Sequence, residues 1–180
     1  MKTKGIPPDV VTYNTLIRGM CILYQQRDAH QMLTEMRNKG VYPDVITYNT
    51  LLDGYCLCGQ MDEAKILMDL MINDGCKPNI VTFNTLINWY CKDGCIGEAR
   101  ALFDSMSKRI LFPDVITYSA LLDGYCLCGK LHEVEKLMDQ MVKSGCKPNI
   151  FTFSSLINGY CKSRKIDKAL ALLHEMPLKG

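Results

Sequence analysis

The feature that most constrains this chain is a 35-residue period that continues through all 180 residues. A proline followed by Asp or Asn returns once per period, at Pro8, Pro43, Pro78, Pro113 and Pro148. An aromatic residue follows each proline, at Tyr13, Tyr48, Phe83, Tyr118 and Phe153. A cysteine series keeps the same phase, at Cys21, Cys56, Cys91, Cys126 and Cys161. Landmarks that recur at one period predict an array in which each copy is one supersecondary unit.

Each period contains the pattern of two helices, which the second copy shows clearly. Asp44 follows Pro43, and Asp is a preferred residue at a helix N-cap. Apolar residues then recur at helical spacing, at Tyr48, Leu51, Leu52 and Tyr55, and at Ala64, Leu67, Met68 and Met71. Gly59 and Gly75 end the two helices. Since one helix pair cannot bury both apolar faces alone, the pattern predicts an all-α fold, an α-solenoid (superhelix) of stacked 35-residue helix-turn-helix repeats.

The period also divides the chain into repeats. We expect the tail of a preceding repeat at 1–9, repeats at 10–44, 45–79, 80–114 and 115–149, and a truncated repeat at 150–180, all in one continuous solenoid. Residues 1–9 match the repeat tail at 36–44, so we expect the chain to be a fragment of a longer array. No polar capping repeat is visible in the sequence, so apolar surface is expected to be exposed at both ends.

Four residues stand where other copies have glycine. Trp89 replaces a glycine within the first helix of the third copy. Ile110 replaces the glycine that ends a second helix, and Tyr24 and Arg164 replace the glycine between the two helices. Because glycine readily adopts the left-handed conformation that such turns use, we expect altered turns at these last three positions.

Composition and motifs argue against several function classes. No apolar run approaches the ~18 residues of a membrane-spanning helix, so no membrane partner is expected. The net charge of +2 allows a nucleic-acid partner without arguing for one. The ten cysteines follow no secretion signal and are interpreted as reduced thiols.

No set of catalytic or metal-binding residues repeats with the period. Cys56 and Cys58, like Cys126 and Cys128, offer two donors where zinc needs four, and core or groove-wall thiols are the better interpretation. The three histidines lie at three different phases, and no glycine-rich phosphate loop is present. We therefore expect no enzyme activity, no metal, no other cofactor and no small-molecule substrate.

Two polar series repeat as well. The first lies on the first helix away from the apolar stripe, at Asn14, Asn49, Asn84, Ser119 and Ser154. Asn and Ser are mediocre helix formers, but they donate and accept hydrogen bonds, as contact with the edge of a base requires. The second series follows the proline, at Asp44, Asn79, Asp114 and Asn149. This second series acts either as N-caps alone or as N-caps that also contact a ligand.

The repeat pattern VTYNTLI.GYC..G..EA..L...M...G.KPD resembles that of the pentatricopeptide repeat family, over the whole chain. The GYC and KPN details resemble P-type arrays of plant organelles, in particular restorer-of-fertility-like members. The resemblance implies sequence-specific binding of single-stranded RNA, one base per repeat. It also implies a role in RNA processing, RNA stability or translation control in the mitochondrion, or alternatively in the chloroplast.

The resemblance further implies roles for individual residues. A reading residue of the first series would act with a partner residue of the second series 30 positions later, as Asn14/Asp44, Asn49/Asn79, Asn84/Asp114 and Ser119/Asn149. Ser154 would need a partner beyond Gly180. The expected target is 5′-U-C(or U)-U-A-(purine)-3′. Bases would be sandwiched by the apolar ladder Val11, Ile46, Val81, Ile116 and Phe151, and phosphates would be contacted by Lys92 and Lys162.

The alternative hypothesis is a helical-repeat scaffold that binds protein partners or self-associates through exposed array ends. Such a scaffold should show recurring charged or apolar anchors in its groove. The Asn and Ser series is instead typical of a surface that contacts bases. RNA binding is therefore the first hypothesis and protein binding the second.

Overall fold

The computed structural model of the protein describes residues 6–179. This range contains ten α-helices and no strand, which confirms the all-α prediction. The helices are α1 (Val10–Ile22), α2 (Gln26–Asn38), α3 (Val45–Leu57), α4 (Met61–Asn73), α5 (Ile80–Lys92), α6 (Ile96–Lys108), α7 (Val115–Leu127), α8 (Leu131–Lys143), α9 (Ile150–Lys162) and α10 (Ile166–Lys179). Residues 1–5 of the predicted tail and Gly180 lie outside the described residues.

The chain forms two compact units, one reaching to Thr85 and the other beginning at Leu86. In the first unit, α1 packs on α2 and on α3, and α3 packs on α4. In the second unit, α7 packs on α8 and on α9, and α9 packs on α10. Within each unit, the first helices of successive pairs are therefore neighbours, which is the stacking that the period predicts.

The predicted apolar stripes form the core. Tyr48, Leu51, Leu52 and Tyr55 in α3 are buried, as are Ala64, Leu67, Met68 and Met71 in α4. Complete burial of a leucine side chain stabilises a fold by ~1.5–3 kcal/mol, so these stripes hold the helix pairs together. Leu16 in α1 is 49% exposed, whereas its counterpart Leu51 is 1% exposed.

The prediction of altered turns at three positions is wrong. Tyr24, Ile110 and Arg164 have φ angles of 59°, 59° and 57°, in the left-handed region that the turn glycines also occupy. The turn after α6 closes with hydrogen bonds from Ile110 N to Ser107 O and from Leu111 N to Met106 O. The packed helices on both sides impose the turn, and a non-glycine residue bears a strain of ~1–2 kcal/mol there.

Close contacts between glycine and cysteine join neighbouring first helices. A Cβ atom added at Gly54 in α3 would lie 2.4 Å from Cys21 Sγ in α1. A Cβ atom added at Gly124 would lie 2.5 Å from Cys91 Sγ, and one at Gly159 would lie 2.4 Å from the thiol of Cys126 in α7. The missing glycine side chain thus makes room for the thiol of the preceding repeat.

The buried cysteines behave as core residues. Burial raises the pKa of the Cys21 and Cys126 thiols to about 11, and that of the Cys56 and Cys91 thiols to about 12. These thiols stay protonated at neutral pH and pack as small apolar groups. The Cys56-x-Cys58 sequence joins one buried and one exposed thiol, which supports the interpretation of Cys56 as a core residue.

Candidate nucleic-acid interface

The post-proline residues cap the first helix of each pair. Asp44 Oδ1 accepts hydrogen bonds from the Thr47 backbone N–H at 2.8 Å and from the Thr47 hydroxyl at 2.9 Å. The Asp44 backbone N–H donates to the Thr47 hydroxyl at 3.1 Å, which completes a capping box. The same contacts recur at Asn79, Asp114 and Asn149. Capping is therefore one role of this series, for Asp and Asn alike.

Two of the predicted pairs are in direct hydrogen-bond contact. Asn14 Nδ2 donates to Asp44 Oδ1 at 3.2 Å, and Asn49 Nδ2 donates to Asn79 Oδ1 at 3.4 Å. All four side chains are half-buried at the surface of the first unit. Reading and partner residues 30 positions apart in the sequence are thus neighbours in the fold.

The fourth pair is joined through a threonine. The Ser119 hydroxyl lies 2.9 Å from the Thr152 hydroxyl, and Thr152 in turn donates to Asn149 Oδ1 at 3.1 Å. A serine side chain is shorter than that of asparagine, and here the threonine hydroxyl bridges the reading residue and its partner. The remaining predicted reading and partner residues are half-buried or exposed: Asn84, Asp114 and Ser154.

A buried threonine contacts the reading residue from another side. Thr47 Oγ1 donates to Asn14 Oδ1 at 2.6 Å, and Thr82 Oγ1 donates to Asn49 Oδ1 at 2.7 Å. Both threonines are 0% exposed. Sequence reasoning missed their role, although a signal was present, because a threonine precedes the aromatic residue in every copy: Thr12, Thr47, Thr82, Thr117 and Thr152.

Capping decides which atom of the partner residue is available to a ligand. The helix N–H groups need an acceptor, so they hold the oxygen Oδ1 in both Asp44 and Asn79. The second terminal atom is then an acceptor oxygen, Oδ2, in Asp44 and a donor nitrogen, Nδ2, in Asn79. Asp and Asn therefore make the same hydrogen bonds to the helix, but Asp leaves an acceptor and Asn leaves a donor for a ligand.

Asp44 is held in its ionised form. Burial acts to raise the pKa of Asp44, but hydrogen bonds from the Thr47 backbone, the Thr47 hydroxyl and the Asn14 amide together lower that pKa below its ordinary value. An ionised carboxylate only accepts hydrogen bonds. Asp44 therefore presents an acceptor at every pH above the ordinary range of its pKa.

The predicted apolar ladder is exposed in every copy. Its side chains are between 52% and 73% exposed, at Val11, Ile46, Val81, Ile116 and Phe151. Each lies three residues before a reading residue, and positions i and i+3 share one face of a helix. Side chains at that exposure contribute little to the core.

One groove in the first unit brings a complete predicted base site together. The groove has a volume of about 660 Å³ and is lined by the reading residue Asn49, its partner Asn79, and Ile46 and Val81 of the apolar ladder. Protein pockets for small ligands have volumes of ~300–1,000 Å³, which suits a nucleotide base. Charged side chains also line this groove: Arg18 and Asp53.

The two predicted phosphate contacts are exposed lysines. Lys92 Nζ lies 4.5 Å from the centroid of the half-buried Trp89 ring, within the range of a cation–π interaction. Lys162 occupies the same position in α9, whereas α3 and α7 carry the exposed residues Leu57 and Leu127 there. Of the helices α3, α5, α7 and α9, two thus carry a positively charged residue at this position, α5 and α9.

Within residues 6–179, no group of three or more His, Cys, Asp or Glu side chains has the arrangement to hold a metal ion. None of the described helices is long and apolar enough to cross a bilayer.

Comparisons with known proteins place the chain among repeat proteins. A model of the PPR repeat family matches residues 8–56, 43–84, 78–127 and 113–162, and a PPR repeat model matches residues 151–180. The crystal structure of PPR10 in complex with an 18-nt psaJ RNA element is 28% identical over 97% of this chain, with a TM-score of 0.83. That of PPR10 from maize is 29% identical over 98% of this chain, with a TM-score of 0.80. No curated protein matches by sequence.

A third structure supports the fold alone. The PPR domain of Arabidopsis thaliana protein-only RNase P 1, in complex with tRNA, is 19% identical over 93% of this chain, which covers 88% of that domain, with a TM-score of 0.73. The chain spans only 26% and 25% of the two PPR10 chains.

The matched segments extend from residue 8 to residue 180, and the structural likeness covers nearly all of the chain. The fold class is an α-solenoid of 35-residue helix-turn-helix repeats, and the chain belongs to the PPR repeat family.

Proposed function

We propose that this chain binds single-stranded RNA in a sequence-specific manner, one base per repeat. The observation that carries the proposal is the groove in which Asn49, Asn79, Ile46 and Val81 meet. PPR10, which has the same fold, is in complex with an 18-nt RNA element, and this complex supports RNA as the ligand.

The apolar ladder would supply affinity without specificity. A planar base inserted between Ile46 and Val81 would cover two side chains that are 64% and 52% exposed. Removal of apolar surface from water stabilises the complex by roughly 25 cal/mol per Å². Because every base has two flat faces, this contribution is similar for all four bases.

The partner residue would distinguish bases by the atom that capping leaves toward the groove. Uracil carries an N3–H donor, which suits the Oδ2 acceptor of Asp44. Cytosine carries a lone pair on N3, which suits the Nδ2 donor of Asn79 and is repelled by a carboxylate. The carbonyl oxygens of uracil also accept from Asn79, which accounts for the second base being C or U. The same rule favours adenine, which has an N1 acceptor, beside Asn149.

The reading residue would distinguish base sizes. An asparagine such as Asn49 presents a donor and an acceptor to the edge of a one-ring pyrimidine. The shorter Ser119 leaves room for a two-ring purine. With the four pairs, these rules support the target 5′-U-C(or U)-U-A-3′, followed by a purine at Ser154.

We further propose that binding itself is the activity, without catalysis. Occupancy of a transcript would block a nuclease, mask a site or recruit a processing factor, in RNA processing, stability or translation control. The proposed compartment is the mitochondrion, with the chloroplast as the alternative, because the GYC and KPN details of the sequence resemble P-type arrays of plant organelles.

A reciprocal exchange of partner residues tests the proposed base assignment. Asn79→Asp is expected to make the second base U-specific, and Asp44→Asn is expected to let the first base be C as well as U. A good base contact contributes ~1–3 kcal/mol of discrimination, or ~5–150-fold in Kd. Fluorescence anisotropy with strands that differ at one base measures this ratio. Since Asp and Asn cap helices equally well, thermal unfolding should stay nearly unchanged.

A double variant tests the fourth base. Ser119→Asn combined with Asn149→Asp is expected to move its preference from A to U, and unchanged preference would contradict the base assignment. If the wild-type chain binds no strand even at low salt, RNA binding is wrong for this chain. The protein-scaffold alternative, including self-association, would then be favoured.

A further inference from the structure

We infer that the buried threonine at the third residue of a first helix is a positioning residue for the reading residue of the preceding repeat. The inference concerns Thr47, Thr82 and Thr152, and it rests on the proposed function, since that function assigns the reading residues. The threonine touches no base. It would act by fixing which hydrogen-bonding edge of the reading side chain faces the RNA.

The hydroxyl of Thr47 has more contacts than capping requires. It accepts from the Asp44 backbone N–H at 3.1 Å, which is its capping contact. It also donates to Asn14 Oδ1 at 2.6 Å, which is shorter than its 2.9 Å distance to Asp44 Oδ1. A hydroxyl has one proton, so Thr47 shares it between these two acceptors, and its contact with the reading residue is the shorter one.

The same geometry recurs at the second reading residue. Thr82 donates to Asn49 Oδ1 at 2.7 Å, whereas its distance to Asn79 Oδ1 is 3.2 Å. The contact of the Asn49 amide with its partner is long, at 3.4 Å from Nδ2 to Asn79 Oδ1. Thr82 therefore makes the stronger of the two bonds that hold the Asn49 amide.

Orientation matters because an asparagine amide can turn by 180° and exchange its donor and acceptor. The Asn49 oxygen accepts from Thr82 and its nitrogen donates to Asn79 Oδ1, so a turned amide would set its oxygen against Asn79 Oδ1. It would also require Thr82 Oγ1, which already accepts from the Asn79 backbone N–H, to accept a second time. These two bonds leave one N–H group and one oxygen lone pair of the Asn49 amide for a base, each at a fixed position. Without the threonine, the amide can adopt both orientations, so discrimination between bases becomes weaker.

The chain contains a matched control for the capping role. Thr12 bonds to Asp9 Oδ1 through its backbone N–H at 2.9 Å and through its hydroxyl at 2.8 Å, as the other threonines bond to their caps. Among residues 6–179, the Thr12 hydroxyl bonds to its own cap, Asp9, whereas the Thr82 hydroxyl also bonds to the reading residue Asn49. Thr12→Val therefore removes the capping hydroxyl alone.

The test compares Thr82→Val with Thr12→Val and with the conservative Thr82→Ser in the full chain. Nuclear magnetic resonance of the Asn49 side-chain NH₂ group measures its order without any RNA. We expect its order parameter to fall from ~0.8 to below ~0.6 in Thr82→Val and to stay high in the other two variants. The preference for C over A at the second base is expected to fall ~2–10-fold in Thr82→Val only.

The outcomes separate positioning from capping. A purely structural threonine would lower the unfolding temperature in both valine variants and leave Asn49 order and second-base preference unchanged, which would overturn the inference. Equal loss of preference in Thr12→Val would overturn it as well. If Thr82→Val does not fold, Thr47→Val is tested by the same criteria, with the side-chain NH₂ group of Asn14 and the first base. If no strand binds, the order of the Asn49 amide still decides the inference, and only the proposed function is wrong.

Discussion

Gly54 is expected to resist replacement by alanine, although alanine is the better helix former. A Cβ atom at Gly54 would lie 2.4 Å from Cys21 Sγ and 2.9 Å from Cys21 Cβ. Gly19 occupies the same position in α1, and a Cβ atom there would meet nothing within 4 Å. The two glycines occupy the same helix position, each two residues before a cysteine, so their comparison isolates packing between first helices.

The expected magnitudes follow from two opposing effects. Replacing glycine by alanine inside a helix stabilises it by ~1 kcal/mol, and Gly19→Ala should show this gain in full. At Gly54 the gain is opposed by overlap. Non-bonded carbon atoms pack at ~3.5–4.0 Å, whereas the new Cβ atom would lie 2.9 Å from Cys21 Cβ and 2.4 Å from the larger Cys21 Sγ atom. Rotation of the thiol does not relieve the contact with Cys21 Cβ, so α1 and α3 must separate. Overpacking of this kind costs ~1–3 kcal/mol.

Urea unfolding followed by circular dichroism measures the free energy of unfolding of each variant. Because the helix-propensity gain is common to both, Gly54→Ala should be ~1–3 kcal/mol less stable than Gly19→Ala. Cys21→Ala combined with Gly54→Ala should recover part of this loss, as a favourable coupling of ~0.5–3 kcal/mol in a double-mutant cycle. If Gly54→Ala is as stable as Gly19→Ala, the close approach of α1 and α3 is wrong.

Three further expectations can be checked directly. Ile110→Gly should raise the free energy of unfolding by about 1 kcal/mol, because Ile110 has a φ of 59°; equal stability would contradict the strain. Iodoacetamide at neutral pH should label the exposed thiols of Cys58, Cys128 and Cys161. It should spare the buried thiols, because burial raises their pKa, and mass spectrometry would show the difference for Cys21, Cys56, Cys91 and Cys126. Leu127→Lys should tighten RNA binding and steepen the salt dependence of log K by ~0.7, whereas an unchanged slope would place this position away from phosphate.

The helix pairs could be predicted because their signals are local. Asp44 caps α3 and Tyr48 is buried as the sequence indicates, since a proline, a cap and an apolar stripe within one repeat are enough to define a helix. The contact of Gly54 with Cys21 joins residues 33 positions apart, and no pattern within one repeat reveals it. The turn at Ile110 was predicted wrongly because tertiary packing overrides the local preference for glycine.

The part of the site that the sequence left open was the difference between Asp and Asn after the proline. As N-caps the two residues are interchangeable, which made capping alone a sufficient explanation. In the structure, Oδ1 accepts from a helix N–H group in both Asp44 and Asn79, so capping uses the same atom in each. The second terminal atom is an acceptor oxygen in Asp44 and a donor nitrogen in Asn79. Under the proposed base assignment, exchange between them would leave the fold unchanged and reverse the hydrogen bond offered to a base.

The same separation explains a pair of nearly identical segments, PDVITYNTLLDGYCLCG at 43–59 and PDVITYSALLDGYCLCG at 113–129. Their cap, buried threonine, glycine and core residues are the same, so the helices are built alike. They differ at the reading residue, Asn49 in one and Ser119 in the other, and at its neighbour. Since both reading residues contact a buried threonine of the next helix pair, either can be exchanged without loss of a core contact. Under the proposed base assignment, a repeat of this kind would therefore change the base that it reads and keep its fold.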